Sequence, residues 1–152
     1  MVEIERKFLV DTHRWQPAEK GVEIKQGYLS VDELSVVRVR IAGELAFIAI
    51  KGKTTGISRV EFEYVIPKTD ALHLMKLCIN PPIEKIRYHE TIHDMLWEID
   101  VFEGANSGLV LAEVELADES QQVILPVWVR EEVSFDKRYY NSYLSANPFK
   151  NW

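Results

Sequence analysis

Val2-Glu3-Ile4-Glu5-Arg6-Lys7-Phe8 begins the chain almost at its first residue, and its reading decides the fold. Side chains two apart on a strand share a face, so Glu3, Glu5 and Lys7 lie on one side and Val2, Ile4 and Phe8 on the other. The same period runs outward through most of the sequence. Arg38 and Arg40 stand against Val37, Val39 and Ile41, and Arg59, Glu61 and Glu63 stand against Val60, Phe62 and Tyr64. Further on, Lys85 pairs with Arg87, Glu98 with Asp100 and Glu113 with Glu115, while Lys25 and Lys51 add one cation each from two other segments. The period predicts strands near 2–10, 22–30, 34–42, 44–52, 58–66, 82–93, 95–102 and 109–117, separated by turn signals such as Ala42-Gly43-Glu44, Asn80-Pro81-Pro82 and His93-Asp94.

One such strand is ordinarily the solvated face of a sheet packed on its other side. The set departs from that pattern in two ways. The charges come as same-sign neighbours, which cost energy without a counterion. The opposite faces are apolar on nearly every strand, yet the sequence offers only short helices to cover them: Thr69 or Asp70 to about Leu77, with Ala71, Leu72, Met75 and Cys78 as the apolar stripe, then Ser120 to about Val129 and Arg138 to about Ser145. A closed eight-stranded antiparallel β-barrel resolves both points, because closure removes the edges and turns the charged faces into a water-filled interior. The fold class expected is mainly β (α+β), a single domain over residues 1–152, with a few short helices outside and at the C-terminus.

Clustered Lys and Arg hold phosphoryl oxygens, and clustered carboxylates hold hard divalent ions that bridge to phosphate. The formal net charge of -6 argues against a nucleic-acid-binding surface. No apolar run approaches the roughly 20 residues that span a bilayer, and the N-terminus has no signal-like segment, so a cytoplasmic protein is expected. The one cysteine, Cys78, reads as a small buried hydrophobe. The four histidines, His89 and His93 among them, show no metal-ligand spacing, and His13, Trp15 and the C-terminal aromatics read as packing residues.

Glu3-Ile4-Glu5-Arg6-Lys7 is similar to the ExExK signature of the CYTH superfamily, the triphosphate tunnel metalloenzymes. The resemblance continues in order through Lys25-Gln26-Gly27-Tyr28-Leu29, Val37-Arg38-Val39-Arg40, Ile50-Lys51-Gly52, Arg59-Val60-Glu61-Phe62-Glu63, Lys85-Ile86-Arg87-Tyr88, Trp97-Glu98-Ile99-Asp100, Glu113-Val114-Glu115-Leu116 and Asp136-Lys137-Arg138-Tyr139-Tyr140-Asn141. It implies an eight-stranded tunnel in which Glu3, Glu5, Glu113 and Glu115 hold Mg²⁺ or Mn²⁺. Lys7, Lys25, Arg38, Arg40, Lys51, Lys85 and Arg87 would then line the phosphate path, with Lys137 leaning over one mouth. Glu61 and Glu63 would shape the tunnel floor, and Arg59, Glu98 and Asp100 would line the interior without an assigned role.

The short members that the chain resembles are mainly inorganic triphosphatases, which implies hydrolysis of a small-molecule triphosphate by a monomer or homodimer. A water near Glu113 and Glu115 is one candidate nucleophile, with Lys7 beside the phosphates. Tyr28 is either a residue that orients or activates that water or a wall aromatic. An adenylyl cyclase of class IV type, a nucleoside or thiamine triphosphatase, and a non-catalytic polyphosphate or nucleotide sensor stay open as alternatives. The tail from Ser145 to Trp152 has three expected fates: plugging the tunnel, packing in a dimer or remaining mobile.

Overall fold

Period-two segments with β-branched and aromatic residues become nine strands in the computed structural model, which describes residues 1–152. They are β1 (Val2–Val10), β2 (Val22–Val31), β3 (Ser35–Ala42), β4 (Leu45–Gly52), β5 (Ser58–Ile66), β6 (Ile83–Ile92), β7 (Met95–Phe102), β8 (Val110–Glu115) and β9 (Val129–Glu132). All pairings are antiparallel, in the order β5-β4-β3-β2-β6-β7-β8-β1-β9, and β5 also pairs β1. That last pairing, Val2 opposite Val60 through Ile4 opposite Ser58, closes eight strands into a barrel. β9 is an addition to it, laid along the far half of β1 at Phe8 and Val10. The β6–β7 hairpin turns on His93 and Asp94, both at positive φ (51° and 62°), as a two-residue turn that matches strand twist requires.

The barrel interior is not water-filled throughout. Inward residues at one end, among them Leu9, Ile83, Phe102 and Leu111, pack with Tyr28, Val36 and Leu144 into an apolar plug. The remaining interior carries the charges. Outside, Phe8, Val10, Trp97, Ile99, Ala112 and Val114 are covered by Trp15 and Trp128 from irregular segments, Trp128 lying where the sequence pointed to a helix. Two rings stand edge-on or tilted to Trp97, at centroid separations of 5.7 Å for Phe8 and 5.5 Å for Trp128.

The expected helices are partly corrected. The first, α1 (Lys68–Met75), starts after Pro67, which occupies the cap position and has no side-chain acceptor with which to cap it. Ala71 and Met75 are buried against β2–β4, while Leu72 faces solvent. No helix forms over 120–129: Pro126 lacks a donor N–H, and the chain runs irregularly into β9. The expected helix over 138–145 is broken into a 3₁₀ turn, Lys137–Tyr139, and α2 (Asn141–Ala146), with Tyr140 extended between them. The tail neither lines the charged cavity nor hangs free. Trp152 packs edge-on against Tyr139, Tyr143 and Phe149, and the Phe149 N–H donates to Asn106 Oδ1 at 2.8 Å. No helix is long and apolar enough to cross a membrane.

Candidate active site

Strand register brings the charged segments together. Glu5 stands opposite Glu115, Lys7 opposite Glu113, Glu98 opposite Glu113, and Arg87 opposite Asp100. On the other wall Lys51 faces Glu61, Glu3 faces Arg59, and Arg38 faces Tyr28. The result is a cavity of about 310 Å³ in which only four of 23 lining residues are hydrophobic.

The cationic wall has two kinds of member. Arg87 and Lys85 converge on one buried carboxylate: Arg87 Nε donates to Asp100 Oδ1 at 2.7 Å and Lys85 Nζ to Asp100 Oδ2 at 2.7 Å. Burial disfavours the Asp100 charge, but Arg87 and Lys85 outweigh it and hold its carboxyl well below the usual range. Burial, together with Arg87 and Arg40, pushes the Lys85 ammonium down to about 7 in spite of Asp100. Arg38 is balanced by Glu63 at 3.1 Å and Glu61 at 3.8 Å, although its buried Nε has no hydrogen-bond partner.

Arg40 differs from these three. Its Nε donates to Gln26 Oε1 at 2.9 Å, and it forms no salt bridge. Burial, reinforced by Arg38 and Arg87, pushes its guanidinium down to about 10. A guanidinium facing a polar cavity with no carboxylate of its own is built to receive an external anion.

The acidic side mirrors this arrangement. Glu113 lies 3.4 Å from Lys7, and Lys7 and Arg87 overcome burial to hold its carboxyl down at about 2. Glu3 is held below the usual range against burial by Lys51, at 3.0 Å. Glu5 has no ion-pair partner, and burial followed by repulsion from Glu113 pushes its carboxyl up to about 8. Glu115 is raised by burial and by Glu3. No three of these carboxylates are yet gathered at metal-holding distance, since Glu3 and Glu113 are each turned to a lysine. The donor set nonetheless fits a hard divalent ion: oxygen ligands in excess of the available cations, with one carboxylate that only a cation would keep ionised.

Of the residues expected inside, Glu3, Glu5, Lys7, Tyr28, Arg38, Arg40, Lys51, Arg59, Glu61, Glu63, Lys85, Arg87, Glu98, Glu113 and Glu115 line this cavity, with Asp100 directly behind Lys85 and Arg87. Two are not there. Lys25 faces outward beside Glu84, because residues three apart cannot share a strand face and it is Tyr28 that points inward. Lys137 is exposed in a neighbouring pocket that shares Arg59 and Tyr140 with the tunnel mouth. Burial raises the Tyr28 hydroxyl pKa despite Arg38, Arg40 and Lys7, which disfavours its ionised form, and the hydroxyl oxygen accepts from Gln26 Nε2 at 3.4 Å.

Two uncharged residues were missed. Gln26 holds Arg40 and donates to Asn141 Oδ1 at 3.0 Å, and Asn141, at the start of α2, also accepts from Lys85 at 3.0 Å. Gln26 was legible, since it shares a strand face with Tyr28. Asn141 was not, because only the break at Tyr140 aims it into the barrel.

The family model for the CYTH domain matches residues 1–145. The chain belongs to the CYTH family. It is 44% identical over 151 residues to an inorganic triphosphatase of Acetivibrio thermocellus, covering 99% of this chain and 97% of that protein. It is 41% identical over 152 residues to an inorganic triphosphatase of Nitrosomonas europaea, covering 97% and 99%. Among solved structures, the inorganic triphosphatase NE1496 superposes with a TM-score of 0.68 at 38% identity, over 94% of this chain and 93% of that one. In this CYTH chain the ExExK segment supplies Glu3, Glu5 and Lys7 from a single strand whose other face, Phe8 and Val10, anchors the outer core.

Proposed function

We propose that this CYTH protein hydrolyses inorganic triphosphate to pyrophosphate and phosphate inside its charged barrel, in the cytoplasm. The observation that carries the reading is Arg40, a cation without an ion-pair partner set between Arg38 and Arg87 in a cavity with almost no apolar wall. The relatives' names support the choice of triphosphate and of hydrolysis, and a lone, unpaired cysteine is consistent with a reducing compartment.

Arg38, Arg40, Lys85 and Arg87 bind the phosphoryl oxygens and draw their charge away, and Lys7 lies between them and the acidic side. Lys51, tied to Glu3 and Glu61, fixes the mouth. A water oxygen attacks the terminal phosphorus, the bond from that phosphorus to the bridging oxygen breaks, and pyrophosphate leaves with the bond's electron pair. The water's proton passes to a carboxylate of the acidic side. Tyr28, protonated, donates a hydrogen bond and holds position. Glu3, Glu5, Glu113 and Glu115 are the residues that would hold Mg²⁺ or Mn²⁺, which supplies charge neutralisation for the phosphate chain.

Turnover decides between readings. Purified protein is incubated with triphosphate or ATP, each with Mg²⁺ or Mn²⁺. Phosphate release from triphosphate far above that from ATP is expected. Cyclic AMP from ATP, or tight metal-dependent binding without release, overturns the proposal.

A further inference from the structure

Closure of the barrel by β1 is short. β1 covers β5 only from Ser58 to Val60, and the last contact along that edge is Glu61 N–H to the carbonyl of Met1 at 3.1 Å. Beyond it, from Phe62 to Ile66, β5 is paired on its β4 side alone. Because Glu61 aims its N–H at the β1 edge, Glu63 and Val65 do so too, while Phe62, Tyr64 and Ile66 aim theirs at β4. The N–H and C=O groups of Glu63 and Val65 therefore face solvent as an open strand edge.

Exposed edges are ordinarily guarded by charged side chains, proline or a bulge. From Phe62 to Ile66 the one charge is Glu63, which is turned inward and paired with Arg38, and Pro67 comes only after the strand has ended. Phe62, Tyr64 and Val65 are 48%, 56% and 70% exposed. The outward face continues onto Ile48 and Ile50 of β4 without a charged side chain, and α1 leaves Phe62 and Tyr64 uncovered.

We infer that β5 is a dimer edge, and that a second copy of this chain pairs with it antiparallel about a two-fold axis through Tyr64. Charge and hydrogen bonding select both occupant and register. Centring on Tyr64 sets Glu63 opposite Val65 of the second copy, so each N–H meets a carbonyl and no carboxylate meets another. Phe62 then meets Ile66 of the second copy. Centring on Glu63 would oppose two like charges, and centring on Val65 would bring Glu63 against Pro67, which has no N–H. The apolar outer faces of β4 and β5 become continuous across the axis, and both tunnels stay open. Glu63 keeps its inward contact with Arg38.

Sedimentation equilibrium at micromolar concentration tests the edge. Wild-type protein is expected to be a dimer, and Tyr64→Lys, which puts two ammonium groups at the axis, a monomer with unchanged turnover. The register is tested in a Cys78→Ala background. Residues at the axis are a non-hydrogen-bonded pair with Cα atoms about 4.5 Å apart, so Tyr64→Cys should oxidise to a covalent dimer and Phe62→Cys should not. A monomeric wild type, or a dimer that survives Tyr64→Lys, overturns the proposal. Efficient cross-linking of Phe62→Cys overturns the register.

Discussion

Arg40 and Arg87 are the same side chain in the same barrel, and they differ in what balances them. Arg87 shares Asp100 with Lys85, and burial of its charge is more than offset by that carboxylate, so its guanidinium is held well above its ordinary range. Arg87→Gln strands Asp100, 1% exposed, with one cation fewer. The expected loss is about 3–5 kcal/mol, the cost of breaking a buried pair from one side, read by urea denaturation. Arg40→Gln removes a charge that has no ion-pair partner and that Asp100 offsets only in part. Stability should rise by about 1 kcal/mol, after discounting for its contact with cavity water, while kcat/KM for triphosphate falls by about 10–100-fold through the lost charged hydrogen bonds. Lys85 gives the pH dependence. Its ammonium is held down to about 7 in the substrate-free protein, and a bound anion favours the charged form. Binding above pH 7 must therefore take up a proton, and affinity should weaken as pH rises through that value. Calorimetry of pyrophosphate binding at pH 8, in two buffers of different ionisation heat, should report net proton uptake, and Lys85→Arg should reduce it, the remainder coming from Glu5.

At the scale of elements, the contact between α1 and the barrel is set by one glycine. A Cβ on Gly27 would lie 2.4 Å from Cys78 Sγ and 3.4 Å from Met75 Sδ, so the turn after α1 sits directly on the β2 backbone. Gly27→Ala should cost about 1–3 kcal/mol by overpacking, and Gly27→Ala with Cys78→Ala should recover part of it, since Cys78 Cβ would still lie 3.1 Å from the new methyl. Thermal denaturation of the two variants and the double variant closes that cycle. The same contact explains what the sequence could and could not say. Eight strands were legible because charge on one face and branched apolar residues on the other repeat with period two, and Cys78 in an apolar run reads as packing. β9 was not, since Val129-Arg130-Glu131-Glu132 has one apolar residue and takes its strand form only by lying on β1. The break at Tyr140 was equally hidden. The Asp136 side chain caps the start of a 3₁₀ turn by accepting the Arg138 N–H, extended Tyr140 ends that turn, and α2 starts afresh with Asn141 aimed at Lys85. Lys25 lies off the phosphate wall for a different reason: charge alone does not place a side chain, and the strand's parity assigns the wall to Gln26 and Tyr28.

For the whole molecule, the chain folds around unbalanced charges of both signs. Arg40 lacks an anion on one wall, and Glu5 lacks a cation on the other. Glu5 is an acid whose folded pKa, about 8, lies above its ordinary 4.5, so the folded state binds the extra proton between those values. Metal-free stability should therefore fall as pH rises from about 4.5 to 8 on account of this group. A divalent ion offsets the carboxylate side, and a triphosphate offsets the guanidinium side. Each alone leaves the opposite imbalance and adds a charge of its own to the cavity, so the two ligands should bind with positive coupling. Thermal shifts measured at pH 7.5 with Mg²⁺ alone, triphosphate alone and both together are expected to exceed additivity, in the Glu5→Gln variant of lower turnover as well as under brief exposure of the wild type. In Glu5→Gln the metal-free protein should be more stable than wild type at that pH, and the excess over additivity should shrink, because the variant no longer carries the acidic half of the imbalance. Strictly additive shifts in the wild type would mean that the two walls are balanced independently, and that the barrel does not use its own charge deficit to bind metal and triphosphate together.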